Sequence, residues 1–202
     1  MVRLDEAAVI NTGLVTARKQ AKEVSESIIQ YRLLNLRAIN NKGFIEDYLL
    51  DDFKTSEEIK PTYITQLGDV IVRLTFPFTA VLIDEMHTGM IVPSHFVVIR
   101  TDAKKIIPEY LFWLLNTEKV RQQLQQNVNS TTIGTVKPMS YASLNIQQIT
   151  LEEQRKIVDI YLLSKKELML LNELMKQKEL YYKTAIDKIQ KEMRKKHENN
   201  KE

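Results

Sequence analysis

The sequence predicts an α+β protein, a mixed α/β domain followed by one long C-terminal helix that packs against a helix of a second chain. Three observations lead there. Residues 150–196 contain no glycine and no proline and carry a nearly continuous apolar stripe at helical spacing. Residues 30–100 hold short β-branched runs separated by turn residues. A helical pattern then opens at Pro108, so strands precede helices instead of alternating with them, which suits α+β better than a doubly wound sheet.

In chain order, Arg32–Ile39 is the first run of strand-forming residues, closed by the turn Asn40-Asn41-Lys42-Gly43. Gly68-Asp69 marks a turn before a second strand at Val70–Leu74. Ala80–Ile83 and His95–Arg100 are further strands, with Asp84-Glu85-Met86-His87 as a polar turn between them. Pro108 suits the first position of a helix, where its missing amide costs nothing, and Tyr110, Leu111, Trp113, Leu114 and Leu115 give that helix an apolar face. Val120–Val128 extends it after a break. Asn129–Lys137 is a polar, threonine-rich loop around Gly134, and Ser140–Ile149 leads into the long helix.

That helix opens on a capping box. The Thr150 hydroxyl accepts from the Glu153 amide, and the Glu153 carboxylate reaches back to the Thr150 amide. The stripe runs through Ile157, Ile160, Leu168, Leu171, Met175, Tyr182, Ile186, Ile189 and Met193, interrupted only by Ser164 and Lys178. Tyr161, Leu170, Leu174, Tyr181 and Ala185 form a seam beside it. A helix over these residues is about 70 Å long, more than its own domain can cover, so the stripe needs a partner helix. Its period is nearer 3.6 than 3.5, which fits a nearly straight pair. The expected interface residues are Ile157, Ile160, Leu168, Leu171, Met175, Tyr182, Ile186 and Ile189. The resulting division is a domain at 1–149, the helix at 150–196 and a polar tail at 197–202.

Composition excludes several classes. There is no cysteine, hence no disulfide, thiol catalysis or cysteine-ligated metal. No apolar run is long enough to span a membrane, and the first residues lack the apolar core of a signal peptide, so the cytoplasm is the default compartment. Residues 1–150 hold 16 basic and 16 acidic side chains, so the net charge of +3 comes from the helix and tail. A neutral domain can bind nucleic acid only through a local basic patch. The basic cluster Lys188, Lys191, Arg194, Lys195 and Lys196 reads as a solvated helix end. No phosphate-cradling glycine loop, paired helical histidines or Gly-x-Ser-x-Gly elbow is present, and Asp84–His87 reads as a turn before it reads as a metal site. The chain therefore reads as a binding subunit without catalytic residues, metal or cofactor, binding neither S-adenosylmethionine nor ATP.

Several segments together resemble the specificity subunit of type I restriction-modification enzymes. They are Val2–Ile10 ending in Asn11-Thr12-Gly13, Leu67-Gly68-Asp69-Val70-Ile71, Pro108-Glu109-Tyr110-Leu111 with Leu114-Leu115-Asn116, and Ile146–Val158 with Glu153-Gln154-Arg155-Lys156-Ile157-Val158 opening the long helix. Two features depart from the family. Its proline-bearing Ile-Pro-x-Pro stretch is here Ile146-Gln147-Gln148-Ile149, and its usual two recognition domains and two antiparallel helices are here one of each.

The resemblance implies a half-length subunit with one DNA target recognition domain, restoring the antiparallel helix pair by homodimerisation. Such a dimer would hold two recognition domains a fixed distance apart and read a bipartite, palindromic site on double-stranded DNA. The resemblance also implies a methyltransferase subunit as partner in a phage-defence complex, and leaves open whether a restriction subunit joins. The competing reading is a coiled-coil scaffold or adaptor with a protein-binding head and no DNA readout. An enzyme with an unrecognised site in residues 1–150 has no feature in its favour. For DNA contact, basic and hydroxyl side chains in or beside glycine- or threonine-rich loops are the candidates. They are Arg18 and Lys19 after Gly13, Lys42 in the Asn-Asn-Lys-Gly turn, Arg73 and Thr75 after the Gly-Asp strand, and Thr131, Thr132 and Lys137 around Gly134. Arg73 is the expected base reader, since a guanidinium bonds a guanine edge in two places. Lys19, Lys42 and Lys137 are the expected phosphate contacts.

Overall fold

A computed structural model describes residues 1–21, 28–126, 128 and 134–199, with side chains to residue 193. Among them the strands are β1 (Val2–Arg3), β2 (Ala8–Thr12), β3 (Ile29–Leu33), β4 (Asp51–Thr55), β5 (Val70–Arg73), β6 (Ala80–Leu82), β7 (Phe96–Thr101) and β8 (Asn145–Ile146). The helices are α1 (Pro108–Leu115), α2 (Glu118–Gln126), α3 (Pro138–Ala142) and α4 (Leu151–Asn199). The chain divides into two compact units, Met1–Val158 and Asp159–Glu202, so the first two turns of α4 belong to the first unit. The α+β class is as the sequence predicts.

The centre of the first unit is a four-stranded sheet in the order β2-β7-β5-β6, antiparallel at every step. Val70, Ile71 and Val72 of β5 are all fully buried, so both faces of the sheet are covered. On one face Ile71, Val81, Phe96 and Val98 pack with Leu34, Ala38, Ile39, Met90 and Val92. Helix α1 packs on β5 and β6, and α3 packs on β2. Two small antiparallel sheets flank the centre, β3 with β4 and β1 with β8.

The strands expected at Val70–Leu74, Ala80–Ile83 and His95–Arg100 form within a residue or so of their expected limits. The run at Arg32–Ile39 does not. The strand there is β3, which ends at Leu33. Beyond it, side chains satisfy the backbone in place of a sheet partner. The Asn35 carboxamide accepts from Ala38 N at 2.9 Å and donates to Leu49 O at 2.6 Å, while Arg73 donates to the carbonyls of Leu36 and Ile39. Strand β4 answers to no apolar alternation: Asp51, Asp52 and Lys54 stand in it beside Phe53.

Candidate nucleic-acid interface

Strand direction gathers the loops of interest. Strands β2 and β5 run one way through the central sheet, and β6 and β7 run the other. The C-terminal ends of β2 and β5 and the N-terminal ends of β6 and β7 therefore share one end of the sheet. Gly13, Thr75–Thr79 and His95 all lie there. Arg18 and Lys19 instead border a pocket with Lys60 and Tyr63, next to the Pro61 and Ile64 carbonyls that accept from Arg100 near the other end of β7. Two further segments are tied to the Gly13 and Thr75 end. Thr135 bridges Thr75, and Val136 N donates to Leu74 O at 2.9 Å, which brings in the segment Thr135–Lys137. Gly43 sits so close to the first residue of β6 that a Cβ would lie 2.6 Å from Ala80 O, which brings in the turn carrying Lys42.

Glycine is needed at two of these approaches. Gly43 has φ +81°, which side-chain-bearing residues rarely adopt, and its turn is held by the Asn40 carboxamide oxygen accepting from Lys42 N at 3.0 Å and Phe44 N at 3.1 Å. Gly13 lies against the Pro93 carbonyl, where no Cβ fits, and donates to Phe96 O at 3.0 Å.

The expected contact residues divide by what already holds them. The side chains of Arg18, Lys42 and Lys137 are exposed and have no ion-pair partner among the described residues. Lys19 stands 2.7 Å from Glu57 Oε1 in a solvated pair. Thr75 is half-buried at the tip of the β5–β6 connection. Thr131 and Thr132 lie outside the described residues.

Arg73, the expected base reader, is partly engaged by the backbone. Its Nη2 donates to Ile39 O at 2.6 Å and to Leu36 O. Burial lowers its pKa, because desolvation opposes the charged form. Through Nη2, Arg73 holds the Leu36–Ile39 backbone in place beside the β5–β6 connection. Tyr141, fully buried, donates from its hydroxyl to Arg73 O at 2.6 Å. Burial pushes its phenol far above the ordinary range, so it stays a donor at any working pH.

Side chains that the sequence reading passed over stand at this end as well. Phe76 is 67% exposed, and Phe44 at 53% and Met139 at 66% follow Lys42 and Lys137 by two residues in sequence. An aromatic residue beside a proline, placed between two strand runs, was the available signal for Phe76.

The base of α4 lies at the opposite end of the sheet. Gln154, 3% exposed, accepts from Ile107 N at 2.9 Å and donates to Lys105 O at 3.0 Å and Ile149 O at 3.2 Å. Lys105 and Ile107 follow the end of β7, the end away from the Gly13, Thr75 and Lys42 loops. The capping box forms as expected: Thr150 N donates to Glu153 Oε2 at 2.7 Å and Glu153 N to Thr150 Oγ1 at 3.2 Å. The bonds from the Thr150 amide and hydroxyl hold the Glu153 carboxyl below its usual range. Ile157, expected on the pairing face, is half-buried and lines a groove of about 710 Å³ with Tyr110, Trp113, Val120 and Ile146.

In the second unit the stripe is uncovered. Ile160, Leu168, Leu171, Met175, Tyr182, Ile186 and Ile189 are each more than half exposed. The neighbouring Leu170, Leu174 and Tyr181 are similarly open.

The turn at Asp84 is a structural clasp. His87 is buried, with Nδ1 2.6 Å from Asp84 Oδ1 and Nε2 3.5 Å from Asp47 Oδ1. No three metal-ligating side chains come together among the described residues. No helix among them is long and apolar enough to cross a membrane.

Neither a protein-family model nor a curated protein matches the chain. Solved structures do. The HsdS subunit of Thermoanaerobacter tengcongensis superposes with a TM-score of 0.66 at 23% identity, over 86% of this chain and 43% of that one. A chain from a study of complex assembly and conformational transition in the type I R-M system gives 0.65 at 22% identity, over 93% and 48%. The S subunit of the M. genitalium type I restriction-modification system gives 0.54 at 13% identity, over 86% and 40%. The chain has the fold of type I specificity subunits and spans less than half the length of these three.

Proposed function

We propose that this chain is the DNA-sequence-recognition subunit of a type I restriction-modification methyltransferase complex, with residues 1–149 as target recognition domain and 150–196 as spacer helix. The observation that carries this reading is the separation of two ends in one domain. Lys42 and Lys137, exposed and without an ion-pair partner among the described residues, stand at one end of the central sheet, while Gln154 ties the first turn of α4 to the other. A recognition module on a spacer needs this division, because the spacer must leave the reading end free to meet DNA. The likeness of fold to specificity subunits points the same way.

Two copies pair their α4 helices antiparallel and place two recognition domains at a fixed separation, so that the dyad demands inverted half-sites. The chain itself is non-catalytic and works in the cytoplasm. A methyltransferase subunit supplies the methyl donor and the chemistry, so the isolated chain binds neither S-adenosylmethionine nor ATP. A salt titration of DNA binding tests the reading. Counterion release gives log K a slope of about −0.9 per phosphate neutralised against log salt, so a DNA reader shows a steep fall. A flat line indicates an adaptor with a protein-binding head.

A further inference from the structure

We infer that Phe76, at the tip of the β5–β6 hairpin, reads thymine by apolar contact of its ring with the C5-methyl group in the major groove. This rests on the DNA-recognition reading above and goes beyond it by assigning a residue and a base.

The hairpin ends on the side where Lys42 and Lys137 stand exposed with no ion-pair partner among the described residues, a cationic face that steers a polyanion toward it. Its tip carries Phe76, 67% exposed, although burying a ring that size is favourable and the hairpin has a core beneath it. The tip is firmly built. Phe78 N donates to Thr75 O at 2.9 Å, Thr75 bridges Thr135, and Tyr141 and Arg73 fix the strand end below. Phe78 takes φ 55°, an unfavourable backbone for a bulky residue, and its ring is 1% exposed. That buried ring braces Phe76 edge-to-face, with centroids 6.1 Å apart and planes at 85°. An apolar side chain is thus held out rigidly and loses little freedom on contact.

Groove dimensions select the site. Two paired strands are about 4.8 Å apart before side chains are added. The turn Thr75–Phe78, which closes beyond the bridge to Thr135, is about that wide, so the major groove, about 12 Å across, admits it and the minor groove, about 6 Å, does not. In the major groove the one apolar group offered by the bases is the thymine methyl, a natural partner for a phenyl ring.

The test uses the full chain copurified with its modification subunit. Selection from random duplexes defines the preferred site, and each thymine in it is then replaced singly by deoxyuridine, which removes only the methyl. Wild type should bind one such duplex about fourfold more weakly, the worth of one methyl group. Phe76→Ala should lose affinity for the thymine site and be indifferent to that same replacement, while Phe76→Leu keeps part of the discrimination. Thermal unfolding of both variants should match wild type, as the ring is exposed. Sequence preference with no deoxyuridine effect at any position, a selected site without thymine, or an unchanged penalty in Phe76→Ala overturns the assignment alone. Loss of the modification subunit from Phe76→Ala also overturns it and makes the residue a protein contact. A wild type with no sequence preference overturns the DNA-recognition reading and the assignment with it.

Discussion

Replacing Leu171 and Ile186 together with aspartate strikes the apolar stripe of α4 where pairing should depend on it most. Both side chains are a little over half exposed in the single chain, at 54% and 56%, so a partner helix can bury about half of each. At about 25 cal/mol per Å2 of apolar area, that half is worth about 1–1.5 kcal/mol per side chain. A symmetric dimer carries four such sites, so the lost burial alone comes to about 4–6 kcal/mol. That is three to four orders of magnitude in the dimer dissociation constant. Burying four carboxylates without partners adds to the loss. The single helix should be untouched, because both positions face solvent and the cap at Thr150 is distant. Sedimentation velocity at micromolar concentration, with circular dichroism in parallel, checks both halves. Wild type should sediment as a dimer and the double variant as a helical monomer. A dimeric double variant, or a monomeric wild type, would mean that the stripe does not join two α4 helices.

Four further outcomes follow from the same geometry. Arg73→Met should destabilise the domain by about 2–4 kcal/mol in urea unfolding, since two carbonyls lose their donor; equal stability would mean that Leu36 and Ile39 find other partners. Gln154→Leu should cost about 2–3 kcal/mol for the stranded Ile107 amide and Lys105 carbonyl, read in the same assay. The Glu153 carboxyl titrates below its usual range in the folded chain, so its share of stability is present above the ordinary carboxylate pKa and lost as pH falls through the lowered one. Thr150→Ala should shrink that acid-dependent part, seen as a smaller change in melting temperature between pH 6 and pH 3. Removing Arg18, Lys42 and Lys137 together should make the salt dependence of DNA binding shallower by about 2–3 per domain, with little effect on folding because none of the three holds another residue.

Local signals carried much of this fold. Val70–Leu74 and His95–Arg100 are runs of β-branched residues bounded by turns, and Thr150 with Glu153 is a complete cap within four residues, so each could be found without tertiary context. The Gln154 of the Glu-Gln pair carried family likeness in the sequence and turns out to hold the first turn of α4 to the Lys105–Ile107 segment. What stayed hidden depends on distant partners. Leu34–Ile39 has the composition of a strand, but Asn35 and Arg73 divert its backbone, and Arg73 lies 34 residues from Ile39 in sequence. For the same reason Arg73 could be taken for a reader: an arginine after a strand looks free until its acceptors are located. The segment Ala8–Thr12 alternates too weakly to announce β2, which becomes a strand by pairing with β7 across the sheet. The convergence of Gly13, Lys42, Thr75 and Lys137 on one sheet end follows from antiparallel pairing and has no trace in their spacing.

Sequence selection by the assembled complex tests the central claim most directly. The full chain, copurified with its modification subunit, is bound to random duplexes long enough to hold two half-sites, and the enriched sequences are aligned. A dimer paired through α4 should enrich two short half-sites that are inverted copies of each other, separated by a gap of constant length. Enrichment of one contiguous motif, of half-sites with variable spacing, or of no sequence at all would contradict the claim.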